Sequence, residues 1–265
     1  MTDPLDTGAR AGEFVQSLER GLAVIRAFDA DHPRLTLSDV ARETGVSRAA
    51  ARRFLLTLVE LGYVATDGRE FRLQPRVLDL GFAYLSGLGL PELAQPHLRR
   101  LSDASRESSS AAVLDGADIV YVSRVAVSRI MSVAIGVGTR LPAHATSMGR
   151  AIVGCGTAER REEFLRNVEP RRLTPHTITD VAQLRTALDD VRRRGWALVD
   201  QELEEGLRSV AAPVRDATGE VVAAVNLAAP IRRGIAEVEG ELVPLLLEAA
   251  AGIEQDLVRV GVRIA

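Results

Sequence analysis

The stretch TLSDVARETGVSRAAARRFLLTLVELGYV, residues 36–64, reads as two short helices around a tight turn, followed by the start of a strand. Thr36 and Asp39 stand at the T-x-x-D spacing of a capping box, which satisfies the first amides of a helix opening at Leu37. Gly45 can take the left-handed conformation that ends this helix and reverses the chain. Ser47 offers an N-cap for a second helix running to about Leu61. Val40, Ala41, Val46, Ala51, Phe54, Leu55 and Leu58 recur at helical spacing and can close a small shared core. Arg48, Ala49, Arg52 and Arg53 fall on the opposite, leading face, just past Ser47. Arginine there can bind phosphate or reach guanine O6 and N7 in a bidentate fork. This is the layout of a helix-turn-helix whose second helix lies in a DNA major groove.

Upstream, SLERGLAVIRAF (17–28) predicts a helix with Leu18, Leu22, Ile25 and its Ala27-Phe28 end on the face that packs against this motif. Downstream, Tyr63-Val64-Ala65 and Phe71-Arg72-Leu73 flank an Asp67-Gly68 turn, the signature of a β-hairpin. A hairpin at this point is a wing, and its Arg69 and Arg72 can touch the phosphate backbone or the minor groove. An exposed hairpin with incidental charges is the plain alternative for either arginine.

The remainder has a different texture. Residues 1–13 read as a flexible arm and 76–88 as a linker helix, with Gly87-Leu88-Gly89 as a hinge. These features divide the chain into an arm (1–13), a winged DNA-binding domain (14–75), a linker (76–90) and a larger domain (91–265). In the last, strands are expected at 110–114, 118–125, 130–135, 196–200, 209–215 and 221–228. Helices are expected at 91–107, 145–154, 158–167, 181–194 and 237–260. Strands joined by hairpins with helices gathered on the faces predict an α+β domain built on an antiparallel sheet.

At 265 residues the chain has room for two domains, each with its own core. The net charge of −3 means that any nucleic-acid contact comes from a local basic patch rather than from the whole chain. One cysteine, Cys155, excludes an intrachain disulfide and fits a reducing cytoplasm. The first residues lack the apolar core of a signal peptide, and no segment has the apolar length of a membrane span. The expectation is a cytoplasmic protein without membrane contact.

SLERGLAVIRAF, the winged motif, RLPAHATSMGRAI (140–152), GWALVDQELEEGLRSVAAPV (195–214) and VVAAVNLAAP together resemble the IclR family of bacterial transcription regulators. SRIMSVAIGVGTRLPAHATSMGR looks like the branch that controls aromatic-acid catabolism through the protocatechuate and β-ketoadipate route. The resemblance implies a winged reader, a linker helix and a C-terminal effector domain with a GAF-like or profilin-like sheet. It further implies a homodimer or homotetramer on double-stranded operator DNA, answering to a small organic acid, aromatic or keto, with no cofactor. Ser47, Arg48, Ala49, Arg52 and Arg53 occupy the family's recognition-helix positions. Ser147 and Met148 fall where family members offer helix-terminal amides to a carboxylate, a setting that favours anions. Asp200, Ser209, Asn226 and Ala228 fall at the other ligand-facing positions. Met148, Asn226 and Ala228 depart from the small, hydroxyl or thiol groups of keto-acid binders, which suits a larger acid than glyoxylate or pyruvate. Arg124, ahead of Arg129 and Arg140, is the candidate carboxylate clamp, with a solvated edge arginine as the plain alternative for each. His144 can donate a hydrogen bond beside it or serve only as a structural histidine.

Enzymatic readings find little support. No G-x-S-x-G elbow surrounds Ser147, and Cys155 sits in a small-residue helix that suggests packing. His32, His97, His144 and His176 are scattered without metal-ligand spacing, and no phosphate-cradling glycine run occurs. Glu202, Glu204 and Glu205 read as a solvated acidic turn. The rival readings are a sensor or enzyme whose N-terminal helices serve only oligomerisation, and an architectural DNA binder with an empty C-terminal domain.

Overall fold

The computed structural model describes residues 14–29, 31–81, 89–127 and 135–261. The chain divides into two compact units, residues 1–84 and 85–265.

In the first unit, α1 (Gln16–Arg26), α2 (Leu37–Thr44) and α3 (Arg48–Glu60) surround a core of Val24, Phe28, Val40, Ala41, Ala51, Leu55 and Leu58. The start of α2 is a true capping box. Thr36 Oγ1 accepts from the Asp39 amide at 3.3 Å, and Asp39 Oδ2 accepts from the Thr36 amide at 3.1 Å. Those hydrogen bonds from the Thr36 side chain and amide hold the Asp39 carboxyl below its usual range. Gly45 turns the chain at φ 67°, a left-handed conformation that would strain any side chain. Ser47 caps α3 by accepting from the Ala50 amide.

Strands β2 (Val64–Thr66) and β3 (Glu70–Leu73) form the expected hairpin. Asp67 Oδ1 closes its turn by accepting from the Arg69 and Glu70 amides. The sequence did not reveal β1 (Leu35–Thr36), which pairs with β3 and completes a three-stranded sheet of order β1-β3-β2. The inward face of α1 also differs from expectation. Leu18 and Leu22 are 62% and 48% exposed, whereas Val24 and Phe28 are buried and Gly21 faces Phe54. Only the C-terminal half of α1 reaches the core: there the expected Ile25 and Ala27-Phe28 end pack as foreseen, joined by Val24.

The expected arm, 1–13, lies outside the described residues. The linker opens with a 3-10 turn, Pro75–Leu78, passing into helix over 79–81. Residues 82–88, including most of the expected hinge, lie outside the description. Gly89, at φ 60°, caps α4 (Leu90–Ser105).

The second unit is built on six antiparallel strands: β4 (Ser108–Asp115), β5 (Asp118–Val125), β6 (Arg140–Pro142), β7 (Ala197–Asp200), β8 (Leu207–Arg215) and β9 (Val221–Pro230). Their order is β6-β5-β4-β9-β8-β7, with β4 and β9 joining the two halves. α4 and α8 (Val243–Val260) cover one face, where Leu98, Val122, Leu227, Leu246 and Ile253 are buried. α5 (Ser147–Cys155), α6 (Ala158–Asn167) and α7 (Val181–Arg194) serve the other, around Ile152, Phe164, Leu184 and Leu188. The fold is therefore α+β, an antiparallel sheet with helices on both faces.

Strand alternation sorts the serines of β4. Ser109 bonds Ser102 and the Leu98 carbonyl on the α4 side, so Ser108 and Ser110 face the α5 side. The strand expected at 130–135 falls mostly outside the described residues, as does Arg129; Arg140 instead begins the edge strand β6. The helix expected from Ala145 starts at Ser147, because residues 143–145 form a 3-10 turn. The closing helix is likewise interrupted, by a π turn at Val238–Leu242.

Candidate functional site

Each unit carries a candidate site. In the first, Ser47, Arg48, Ala49, Arg52 and Arg53 are exposed along the leading edge of α3, while Ala51, Leu55 and Leu58 face the core. Ser47 spends its hydroxyl on the cap, so its first role is to fix where α3 begins. On the wing, Arg69 and Arg72 are exposed, and Arg72 alternates with buried Phe71.

The pairing of charges separates these arginines from their neighbours. Arg34 lies near Asp67 and Glu70, and Arg42 near Asp39 and Glu43. Among the described residues no carboxylate lies within ion-pair distance of Arg48, Arg52, Arg53, Arg69 or Arg72. Five unneutralised guanidinium groups on a helix face and its adjoining hairpin make a local cationic surface on a chain of net charge −3.

In the second unit a narrow cavity opens between the sheet and the N-terminus of α5. It encloses about 460 Å³ counting its mouth. Arg124, Ser147, Met148, Ser209, Asn226 and Ala228 line it together, with Ser108, Tyr121, Ile135, Thr146, Leu203 and Leu207. Strand register explains the floor. Ser110 stands opposite both Arg124 and Asn226, while Ala228 stands opposite both Ser108 and Ser209. Two cross-strand rows thus present their side chains to one face.

The end wall is the start of α5. Thr146 caps it by accepting from the Gly149 amide, and the amides of Ser147 and Met148, as the first two of a helix, have no intrahelical acceptor. Gly149 permits this wall to sit against the preceding turn, since a Cβ there would lie 2.3 Å from the Ala143 carbonyl oxygen. Arg124 is half-buried, and its one described hydrogen bond is donated to Ser110 Oγ at 3.2 Å. No carboxylate among the described residues pairs with it. Burial pushes the Tyr121 phenol up to about 12, with Arg124 opposing the rise.

Two of the predicted residues do not line the cavity. His144 is buried behind the end wall, where Nε2 donates to the Arg171 carbonyl at 3.1 Å. Burial, with the nearby charges of Arg150 and Arg171, holds its imidazole below the usual histidine range and therefore neutral. Asp200 is taken by Arg208 in a bidentate pair across β7 and β8, both contacts at 3.0 Å.

The acidic turn is also not simply solvated. Glu202 is buried and paired with buried Arg150 through contacts of 2.6 and 2.5 Å, and it accepts from the Ile178 amide at 2.9 Å. Arg150 Nε donates to the His144 carbonyl. This pair joins the α5 wall to the loop carrying Leu203. Its two members are 52 residues apart in the chain, and neither sits in a pattern that predicts the other. Tyr121 and Ser108 were equally hidden, since their facing depends on register and on the bulge between Ala111 and Ala112.

Cys155 is half-buried with Sγ 3.8 Å from the Val191 carbonyl, and burial pushes its thiol up, which keeps it protonated. Among the described residues no cluster of His, Cys, Asp and Glu could hold a metal ion, and no helix is long and apolar enough to cross a membrane.

Comparison with known proteins brings both units into one lineage. The IclR helix-turn-helix domain matches residues 17–68, and the bacterial transcriptional regulator IclR C-terminal domain matches residues 82–255. The Pca regulon regulatory protein of Pseudomonas putida is 44% identical over 240 residues, covering 90% of this chain and 82% of the relative. The p-hydroxybenzoate hydroxylase transcriptional activator of Acinetobacter baylyi is 39% identical over 222 residues, covering 82% of each. Among solved structures, an IclR homologue from Microbacterium hydrocarbonoxydans complexed with 4-hydroxybenzoate superposes with a TM-score of 0.80. It is 30% identical, over 92% of this chain and 99% of that one.

Proposed function

The chain belongs to the IclR family of DNA-binding transcriptional regulators, and on that footing we propose that it controls an aromatic catabolic operon in response to an aromatic carboxylic acid. The observation that carries this reading is the cavity at the head of α5. It offers free helix-terminal amides and an arginine without a carboxylate partner, two groups that favour a bound anion. The relatives named as a Pca regulon regulatory protein and a p-hydroxybenzoate hydroxylase transcriptional activator, and a structural homologue carrying 4-hydroxybenzoate, support an aromatic acid over a small keto acid.

In this reading Arg124, Ser147 and Met148 take the carboxylate, and Ser209, Asn226 and Ala228 shape the far wall. His144 and Asp200 act from behind, holding the end wall and strand β7. Arg48, Arg52 and Arg53, with Ala49 and the Ser47 end of α3, enter the major groove, and Arg69 and Arg72 meet phosphates from the wing. A homodimer or homotetramer presents two such helices to half-sites about 34–36 Å apart or a multiple of that. The acid alters operator affinity because it binds the DNA-competent and incompetent arrangements unequally. A helix-turn-helix serving only oligomerisation would leave the unpaired arginine face without use.

Fluorescence anisotropy on the intergenic DNA beside this gene tests the proposal. Sequence-specific, salt-sensitive binding should appear, weakened by Arg52→Ala, and 4-hydroxybenzoate or protocatechuate should shift it. Binding that no aromatic acid shifts would overturn the effector assignment, and affinity unchanged in Arg52→Ala would overturn the contact assignment.

A further inference from the structure

We propose that Leu56, together with Ala49, reads the C5-methyl groups of operator thymines, next to a base held by Arg53. The inference rests on the placement of α3 in the DNA major groove.

Helical geometry singles out one row of side chains. α3 buries Ala51, Leu55 and Leu58. At about 100° per residue, Ala49, Arg53, Leu56 and Glu60 lie within about 50° of the direction opposite those three, whereas Arg52 lies about 90° round to one flank. All four members of the row are exposed. Leu56 is its one large apolar side chain, and it is 41% exposed. It belongs neither to the core of this unit nor to the partly buried side chains packed against that core, which include its neighbours Phe54 and Val59.

A single exposed leucine is commonplace, and position is what gives this one a use. Arg52 and Arg53, at i−4 and i−3, are its neighbours on the helix surface. Among the described residues neither has a carboxylate within ion-pair distance. DNA drawn to these guanidinium groups must therefore also cover Leu56. In the major groove the base edges present donors and acceptors, and the thymine methyl is their one apolar group. Leucine has nothing to hydrogen-bond with, so against guanine, cytosine or adenine it strips water from polar atoms without replacing it. Against a thymine methyl both partners leave water. Along the helix axis Leu56 lies about 4.5 Å beyond Arg53 and about 10 Å beyond Ala49. Those spacings are roughly one and three base-pair steps of about 3.4 Å. Side chains also lean toward the helix N-terminus, which brings Leu56 closer to the base held by Arg53. The row thus fits a thymine adjoining the Arg53 base and a second methyl near Ala49. Glu60, at the end of the row, repels phosphate and limits the contact to the turns before it.

Binding of the full chain to the intergenic fragment beside this gene, prepared once with thymine and once with uracil at every thymine position, tests this. Uracil keeps the base pairing and lacks only the methyl. The parent should bind the uracil fragment at least about fourfold more weakly, as expected for the loss of one buried methyl. Leu56→Ala should bind the thymine fragment more weakly than the parent does, yet match it within about twofold on the uracil fragment. Any effect of uracil on DNA shape is common to both proteins and cancels in that comparison. Because Leu56 is exposed and alanine favours helix, the variant should melt within about 2 °C of the parent. A parent that binds both fragments equally would overturn the inference. So would a Leu56→Ala variant weakened equally on both, which would assign the leucine to a contact between copies instead. If Arg52→Ala and Arg53→Ala weaken binding while uracil is tolerated, only this inference fails. If those two variants bind both fragments as the parent does, the placement of α3 fails with it.

Discussion

Replacing Glu202 by alanine should weaken the larger unit and blunt acid binding together. The Arg150 and Glu202 side chains are 4% and 9% exposed, joined by contacts of 2.6 and 2.5 Å, and Glu202 also receives the Ile178 amide. Truncation leaves a buried guanidinium and a main-chain N–H without their acceptor. Removing one member of such a pair costs about 3–5 kcal/mol, because the surviving charge stays buried. At roughly 2–4 °C per kcal/mol for a unit of this size, the melting point should fall by roughly 6–20 °C.

Trp196 is the only tryptophan and packs against the α4–α8 core, so its fluorescence in a urea titration follows this unit alone. The double variant Arg150→Met/Glu202→Leu should recover most of the loss, since two apolar side chains leave no charge to satisfy. The pair also ties the α5 wall to the Leu203 loop, so Glu202→Ala should lose affinity for the acid even where the unit remains folded. A loss below about 1 kcal/mol at unchanged m-value, or a double variant no more stable than Glu202→Ala, would refute the claim that a buried pair needs both members.

Three further outcomes follow from the same geometry. Folding holds His144 below its usual range, so the fold favours the neutral ring, while the unfolded chain binds a proton near pH ~6.5. Its contribution to stability is thus complete above that value and declines as pH falls below it, toward the lower folded-state value. Urea unfolding between pH 7 and 5 should show the decline, and His144→Gln should flatten it; superimposable curves would refute it. Gly149→Ala must push the Ala143 backbone away from its Cβ, so it should lower the melting point and abolish acid binding; a crystal structure with α5 unmoved would contradict this. Arg69→Ala and Arg72→Ala should weaken binding evenly across DNA sequences and lessen the salt slope by about 1 each if they contact phosphate. A change in sequence preference would indicate base contact instead.

Local chemistry made much of the fold legible. The capping box at Thr36 and Asp39, the left-handed turn at Gly45, the N-cap at Ser47 and the Asp67-Gly68 hairpin all act over four residues or fewer, and each formed where the sequence indicated. Helices at 158–167 and 181–194 and the strand at 118–125 have the expected bounds, because hydrophobic period and cap agree there. In α1 the expected Ile25 and Ala27-Phe28 end reach the core but Leu18 and Leu22 do not, because periodicity does not say which half of a stripe a neighbour will cover. The two-residue β1 carries too little pattern to announce itself; pairing with β3 creates it.

The sequence by itself determined a winged helix-turn-helix, an α+β partner domain and the exposed arginines of α3, because caps, turns and alternation are short-range and additive. Tertiary structure alone decided which side chains meet. It turned Ser108 and Tyr121 toward one cavity, withdrew His144 and Asp200 from it, and buried Glu202 against Arg150. The reason is that strand register, a single bulge and charge pairing across 52 residues set these contacts. A one-residue change of register would send every strand side chain to the opposite face, and no local pattern records that choice.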